Sequence, residues 1–473
     1  MTNPRAPRFL PLLLLVPGLL LAAGSDFRPL HEEPLGTPID DPYAQRALAA
    51  MTAPAACQGG MALGTFACRG IDLESYVSLN AMLADTYPPG SLPDPNGSAL
   101  WGFQSKNDGR EYALFGTTKG TAVVDVTDPA RPVAVGSVVG LTSPWREVKI
   151  YQVFNPAKQR YDAYAYVVSE AVGSGLQILD LSGLPSSVRL LATSKAFERA
   201  HTVYLANVDY STGAANVPDL PPVLYVEGSN VAGLLAFDIS DPAAPSLSGE
   251  FFNSYAHDIW AGVLRGARAS VCPSGSDPCE IVVNWAGDAI RILDFSNKNN
   301  PMLISRLQYL GLGYAHSGWI SKDGNYLFCM DELDERNTGA NTSVRVVDVH
   351  DWSNPFVAAM WYGTNKTIEH NGYTIGDRYY MSNYERGLTI LDVSNPLSPT
   401  EVAFFDTYPA TDTANFHGAW AVYPFLPSGN ILISNIDGAG GLYVLHQGTT
   451  SSLLPGNTRL PILPVPRRGT PPR

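Results

Sequence analysis

The chain has 473 residues with 44 acidic and 31 basic side chains, which gives a formal net charge of −13 at pH 7. We therefore expect no nucleic acid partner, because binding to a phosphate backbone needs clustered Lys and Arg. Charged residues make up 16% of the chain and aromatic residues 10%, which together favour one large, well-buried β architecture.

The first 24 residues are typical of a secretory signal peptide. Arg5 and Arg8 precede an apolar run from Leu10 to Ala23, and the expected cleavage follows Gly24. The run is shorter than the roughly 20 residues that span a bilayer, and we find no other candidate span. We therefore expect an exported protein, periplasmic or secreted, with no transmembrane span in the mature chain.

Two segments of the mature chain lack the repeats described below. Residues 25–94 are expected to form an N-terminal extension with helices around Tyr43–Met51 and Leu73–Leu83. Residues 448–473 are rich in Pro, Ser, Thr and Arg and are expected to be a disordered tail. We assign residues 95–447, between them, to one repeat domain.

The five cysteines indicate an oxidising compartment. Cys57 and Cys68 are close in sequence, as are Cys272 and Cys279, and each pair is expected to form a local disulfide. Cys329 lies in an apolar run and is expected to be a buried free thiol.

A short apolar run, then Asp, then a turn with Pro recurs six times, for example as AVVDVTDPARP and LTILDVSNPLSP. Runs of Val, Ile and Leu flanked by Gly and Pro predict buried strands. The Asp side chain at the end of such a run caps the turn through nearby backbone N–H groups. The six aspartates are Asp125, Asp180, Asp238, Asp294, Asp348 and Asp392.

A second motif, His-x-x-aromatic or a close variant, alternates with the first. Its histidines are His201, His257, His316, His370 and His417, and Arg146 holds the same register one repeat earlier. Two motifs kept in phase at intervals of roughly 45–60 residues, each interval long enough for four strands, predict a seven-bladed β-propeller. We expect the first and last units to share a blade that closes the ring, and a count of six or eight blades stays open.

Several phrases resemble those of a known family, among them GREYALFGTTKGTAVVDVTDP, PWREVKIY, EHNGY and NYERGLTILDVSNP. The Asp-Pro runs resemble the LVIVD repeat, and the chain from Cys57 to Leu445 resembles the choice-of-anchor B family of exported bacterial propellers. The resemblance implies the fold and a location outside the cytoplasm, with cell-surface association as one possibility. It supplies no reaction.

The histidine motif is the first candidate site. If it begins the innermost strand of each blade, Arg146, His201, His257, His316, His370 and His417 surround one mouth of the channel and bind a ligand there. Imidazoles that converge suit Zn, Cu, Fe or Ni, and we expect His257, His316 and His370 to be the metal ligands. Two alternatives stay open: histidines that bond backbone to orient loops, or an anion site completed by Arg146.

The segment MDELDER is the second candidate site. Its four carboxylates repel one another unless a cation neutralises them, and oxygen-rich clusters suit Ca²⁺. The candidate ligands are Asp331, Glu332, Asp334 and Glu335. The alternative is a solvated acidic loop, or pairing with Arg336 and Arg345.

No serine-hydrolase elbow, Walker A loop, dinucleotide fingerprint or H-E-x-x-H zinc motif occurs in the sequence, and no catalytic residue can be assigned. The leading hypothesis is an exported, monomeric propeller that acts as a binding or interaction scaffold for a protein, glycan or small ligand. The alternative is a metal-dependent enzyme, an oxidoreductase or a hydrolase, with its site at the histidine-lined channel mouth.

Overall fold

A computed structural model of the protein describes residues 41–88 and 95–448. Seven antiparallel sheets follow one another around a central axis, and the first strand of each contacts the first strand of the next. The inner strand of the seventh sheet also contacts that of the first, so the ring is closed. The predicted seven-bladed β-propeller is therefore confirmed, whereas the predicted signal peptide and most of the predicted tail lie outside the described residues.

Each blade has four strands, and in blades 1 to 5 the first strand in sequence is the inner one. Blade 1 consists of Gly97–Gln104, Glu111–Thr117, Gly120–Asp125 and Val133–Val139. Blade 2 consists of Arg146–Asn155, Arg160–Ser169, Leu176–Asp180 and Arg189–Ser194. Blade 3 consists of Thr202–Ala206, Val223–Glu227, Leu234–Asp238 and Ser246–Phe251. Blade 4 consists of Asp258–Leu264, Cys279–Trp285, Ile290–Asp294 and Met302–Leu307.

The last three blades complete the ring. Blade 5 consists of Ala315–Ile320, Tyr326–Asp331, Ser343–Asp348 and Phe356–Tyr362. Blade 6 consists of Asn371–Ile375, Arg378–Asn383, Gly387–Asp392 and Thr400–Phe405, and its outer edge is extended by Phe66–Arg69 and Met61–Ala62. Blade 7 consists of Ala419–Tyr423, Ile431–Asn435, Gly441–Gln447 and, as its outer strand, Ile71–Ser78.

The six repeated aspartates end the third strands of blades 1 to 6. In each case one carboxylate oxygen accepts the backbone N–H of the residue two positions later, at 2.8–3.0 Å. This bond turns the chain away from the strand ladder and fixes the entry to the outer strand. The aspartates therefore have the capping role that the repeat pattern predicts.

Helices are few and short in the described part of the chain: Pro42–Ala49, Leu79–Met82, Asp334–Thr338 and the 3₁₀ segment Gly266–Val271. The first was predicted, and Asp41 caps it by accepting the N–H groups of Tyr43 and Ala44. None of the helices in residues 41–88 and 95–448 is long and apolar enough to cross a bilayer.

The predicted helix around Leu73–Leu83 is wrong for most of its length. Ile71–Ser78 is a strand whose residues alternate between buried and half-buried, and only Leu79–Met82 forms one helical turn. The strand pairs with Gly441–Gln447, which places Leu73 opposite Leu445. The two ends of the ring region thus share blade 7, but the shared strand comes from the extension, because the first repeat already builds a complete blade 1.

Both predicted disulfides, Cys57–Cys68 and Cys272–Cys279, are present, and Cys329 is a buried free thiol. Cys68 pairs with Phe405 at the outer edge of blade 6, so the first disulfide holds the extension against that blade. The cysteine pattern is therefore confirmed.

We expect Leu73→Ala to lower the free energy of unfolding by about 2–5 kcal/mol, because the buried side chain leaves a cavity where the ring closes. Urea denaturation followed by tryptophan fluorescence measures this change. Val133→Ala is the control, since Val133 is 61% exposed on the outer strand of blade 1 and should change stability by less than about 0.5 kcal/mol. Equal effects of the two substitutions would contradict the closing role of the N-terminal strand.

Candidate functional site

Four of the motif histidines follow one another around the channel at the start of the inner strands of blades 3 to 6. They are His201, His257, His316 and His370, and all are buried. Neighbouring imidazole rings are separated by 4.4, 4.2 and 4.4 Å between centroids. Two indoles continue the row: Trp420 of blade 7 lies 4.0 Å from His370, and Trp145 lies 4.0 Å from Trp420. We call these six side chains the aromatic row of the channel.

Hydrogen bonds between blades set the tautomers of three histidines. Nδ1 of His257 lies 3.2 Å from the backbone oxygen of His316, and Nδ1 of His316 lies 2.9 Å from that of His370. Nδ1 of His370 lies 2.6 Å from the backbone oxygen of Trp420. A carbonyl only accepts, so each Nδ1 must carry the proton, and Nε2 of each neutral imidazole is then the nitrogen with the lone pair.

The electrostatics of the channel keep His316 neutral. Burial, together with the imidazoles of His257 and His370, lowers the pKa of His316 well below its usual range. A neutral imidazole with its proton on Nδ1 is the form that binds metals through Nε2.

A carboxylate completes a cluster with two of these imidazoles. Glu332 is fully buried in the turn that follows the second strand of blade 5. Its two oxygens lie 3.7 Å from Nε2 of His316 and 3.8 Å from Nε2 of His370. The hydroxyl of Tyr384 donates to Oε1 of Glu332 at 2.6 Å and fixes the carboxylate.

The spacing of this cluster suits a metal ion. One ligand atom from each of His316, Glu332 and His370 lies within 4.8 Å of the others. Ligands that are each roughly 2.1 Å from a common ion lie roughly 3–4 Å apart. The residues present therefore fit a transition metal in geometry and in donor type.

The histidines line a small central cavity of about 30 Å³. Its other walls include Trp101, Glu147, Lys149, Thr202, Tyr204, Asp258, Trp319, Asn371 and Tyr373. This volume holds about two water molecules and is roughly a tenth of a small organic-ligand site. Only water-sized molecules fit in this cavity as it stands.

Charged groups within the cavity compensate one another. The Lys149 ammonium lies 2.5 Å from Oε1 of Glu147 and 4.4 Å from the centroid of the Trp101 ring. Burial raises the pKa of Asp258 to about 7, although Lys149 acts in the opposite direction. These groups make the cavity wall polar next to the aromatic row.

Two of the residues predicted to surround the channel mouth lie outside the aromatic row. The Arg146 guanidinium donates to the backbone oxygens of Thr117 and Leu141 between blades 1 and 2, at 3.0 and 2.7 Å, and burial lowers the pKa of Arg146 to about 10. Nδ1 of His417 lies 2.6 Å from Asp437, and its imidazole stacks on Tyr408.

A strand bulge explains why His417 is displaced. His316 is the extra residue between Ala315 and Ser317 in blade 5, and Trp420 is the extra residue between Ala419 and Ala421 in blade 7. Trp420 is therefore the positional equivalent of His316. The available signal was the preceding alanine, because AH at three histidines corresponds to AW at Trp420.

The four carboxylates of MDELDER are buried, so the alternative of a solvated loop is wrong. They also diverge. Asp331 accepts the backbone N–H groups of Gly313 and Tyr314, whereas Glu332 joins the channel histidines. Asp334 and Glu335 begin the helix Asp334–Thr338 and lie beside Glu369, which precedes His370.

Comparison with known proteins supports the repeat assignment. The model of the LVIVD repeat matches residues 225–252 and 376–407, in blades 3 and 6. A comparison with proteins of curated function finds no match. The matched repeats are a minority of the chain, so the wider choice-of-anchor B family remains a resemblance.

Solved structures resemble this chain at low identity. A proposed 6-phosphogluconolactonase from Bacteroides uniformis is 13% identical, with a TM-score of 0.48 over 77% of this chain and 96% of that one. A hypothetical selenium-binding protein from Sulfolobus tokodaii is 13% identical, with a TM-score of 0.46 over 76% of this chain and 93% of that one. At this identity the likeness concerns the fold alone.

We expect His417→Asn to lower the free energy of unfolding more at about pH 5.5 than at about pH 8.5. The hydrogen bond to Asp437 raises the pKa of His417, so the folded state favours the charged imidazole. The stabilisation that the charged His417 imidazole supplies is complete below its unfolded pKa of about 6.5. It is lost as the pH rises through the higher pKa of the folded state. Denaturation at both pH values measures the difference, which should vanish in an Asp437→Asn background. A loss independent of pH would contradict the charged pair.

Proposed function

We propose that the protein is an extracytoplasmic propeller that binds one transition-metal ion in its channel, through His316, His370 and Glu332. The extracytoplasmic location rests on the two disulfides, which persist in oxidising compartments, and on the signal-like N-terminus. The binding function rests on the cluster described above.

One observation carries the metal assignment: two imidazoles with the proton held on Nδ1 flank a buried carboxylate. Backbone oxygens that accept from Nδ1 are the usual outer partners of metal-binding histidines, because they orient the ring and leave Nε2 for the ion. Two imidazoles and a carboxylate are a donor set for Zn, Cu, Fe or Ni rather than for Ca²⁺ or Mg²⁺.

Charge supports the same conclusion. Glu332 is fully buried, and an ionised carboxylate in that position is costly without a compensating positive charge. The Tyr384 hydroxyl donates a hydrogen bond to that carboxylate, and the lowered pKa of His316 favours the neutral imidazole that can bind a metal. A divalent ion would offset the carboxylate.

The size of the cavity favours binding over turnover of an organic substrate. A catalytic metal needs an open coordination position that the substrate can reach. The cavity of about 30 Å³ beside the histidines holds water-sized molecules only. A protein or glycan partner would therefore contact the outer surface of the propeller, and the metal-dependent enzyme is the second candidate.

We expect the mature protein, purified from a periplasm without an affinity tag, to contain about one equivalent of a transition metal. The His316→Ala/His370→Ala double variant should lose it, because two of three ligands are removed. His350→Ala is the matched control, since His350 is exposed on the turn after the third strand of blade 5. Elemental analysis by mass spectrometry, with circular dichroism to verify the fold, measures the outcome.

A folded wild type that takes up no Zn, Cu, Fe or Ni, even after incubation with each ion, would overturn the metal site. The histidines would then act only as hydrogen-bonding elements between blades. Bound metal whose spectrum changes on addition of azide or cyanide would instead reveal an open coordination position and place the enzyme first.

A further inference from the structure

A second buried cluster of carboxylates lies outside the channel, between blades 5 and 6. Asp334 and Glu335 begin the helix after the second strand of blade 5, and Glu369 precedes the inner strand of blade 6. These three residues are 5%, 1% and 0% exposed. One carboxylate oxygen from each lies within 4.8 Å of the other two.

Each carboxylate is held by protein donors at one oxygen only. Oδ2 of Asp334 accepts from Arg345 at 2.6 Å and from the hydroxyl of Ser343 at 2.9 Å. Oε1 of Glu335 accepts the backbone N–H of Ser343 at 3.1 Å. In the same way, Oε1 of Glu369 accepts the backbone N–H of Asp331 at 2.9 Å.

The second oxygen of each carboxylate has a different environment. Oδ1 of Asp334, Oε2 of Glu335 and Oε2 of Glu369 are buried and receive no N–H or O–H donor from the residues that the structure describes. A buried acceptor that lacks a donor carries a desolvation penalty of about 1–3 kcal/mol, and more when it is charged. Three such oxygens close to one another indicate a missing positive partner.

The local charges do not balance. Arg345 contacts Asp334 at 2.6 Å and lies 3.9 Å from Asp331, so among the described residues a single guanidinium serves this acidic group. Arg336, which follows Glu335 in the sequence, stacks on Phe416 instead, with its guanidinium carbon 4.9 Å from the ring centroid. Donated N–H bonds favour the ionised form of a carboxylate, and a bound cation would compensate the resulting negative charge.

We propose that Asp334, Glu335 and Glu369 bind a Ca²⁺ ion that joins blade 5 to blade 6. The donor set consists of oxygen alone, and three carboxylates that bind with one or both oxygens reach the coordination that Ca²⁺ takes when waters complete the shell. Asp334 also lines a surface groove of about 310 Å³, which brings water to the edge of the cluster.

This site differs from the one that the acidic segment predicts and from the channel metal. Asp331 and Glu332 are engaged elsewhere, and Glu369, from the next blade, takes part instead. Protons are the competing explanation, because burial and like charge raise the pKa of Glu369 to about 8 and that of Glu335 above its usual range.

The test titrates Ca²⁺ into the full mature protein after dialysis against a chelator, with calorimetry and thermal melting as readouts. We expect Ca²⁺ to bind and to raise the melting temperature of the wild type, because the ion binds only the folded cluster. Glu335→Gln should weaken binding by about tenfold or more. Glu198→Gln, at an exposed acidic residue, is the matched control and should respond like the wild type.

The chelated proteins separate a cation from shared protons. Without Ca²⁺, Glu335→Gln should melt at or above the temperature of the wild type, since it removes one repelling charge; with Ca²⁺ it should melt below it. No binding to the wild type, or equal binding to Glu335→Gln, would overturn the proposal. The His316→Ala/His370→Ala variant should keep its response to Ca²⁺, so failure of the channel metal and failure of this site are distinguishable.

Discussion

The hydrogen bond from an imidazole Nδ1 to the backbone oxygen of the next blade is the interaction on which the channel depends. It joins the inner strands of blades 4 to 7 in three successive steps. The hydroxyl groups of Ser317 and Ser382 donate to two of the same carbonyl oxygens, those of His370 and Trp420, so these buried acceptors are well satisfied. One repeated contact therefore both ties the blades together and determines which imidazole nitrogen faces the channel.

The acidic segment shows how a change of secondary structure separates neighbouring charges. The strand of blade 5 ends at Asp331, and the helix begins at Asp334. Consecutive carboxylates therefore point into three environments: a backbone-lined turn, the channel and the boundary between two blades. Four acidic residues within five positions are tolerated in the interior because they meet different partners.

The repeats allowed much of the fold to be predicted, since each Asp-capped turn is local in sequence and recurs in six blades. The disulfides were predictable because the two cysteines of each pair are close in sequence. The strand Ile71–Ser78 was missed because its partner lies more than 360 residues away. Nothing in its own sequence indicates that it pairs with Gly441–Gln447. The place of Trp420 depends on a bulge, and that of Glu369 on contact between blades, neither of which periodicity reveals.

The shared blade also sets an order of events in biogenesis. Ile71–Ser78 emerges early, yet the strand that it completes, Gly441–Gln447, is among the last described residues to be synthesised. An edge strand that waits for its partner exposes unpaired backbone and invites wrong pairing. The native ring can therefore close only after Gly441–Gln447 has been synthesised, which makes the closure of blade 7 a late step in folding.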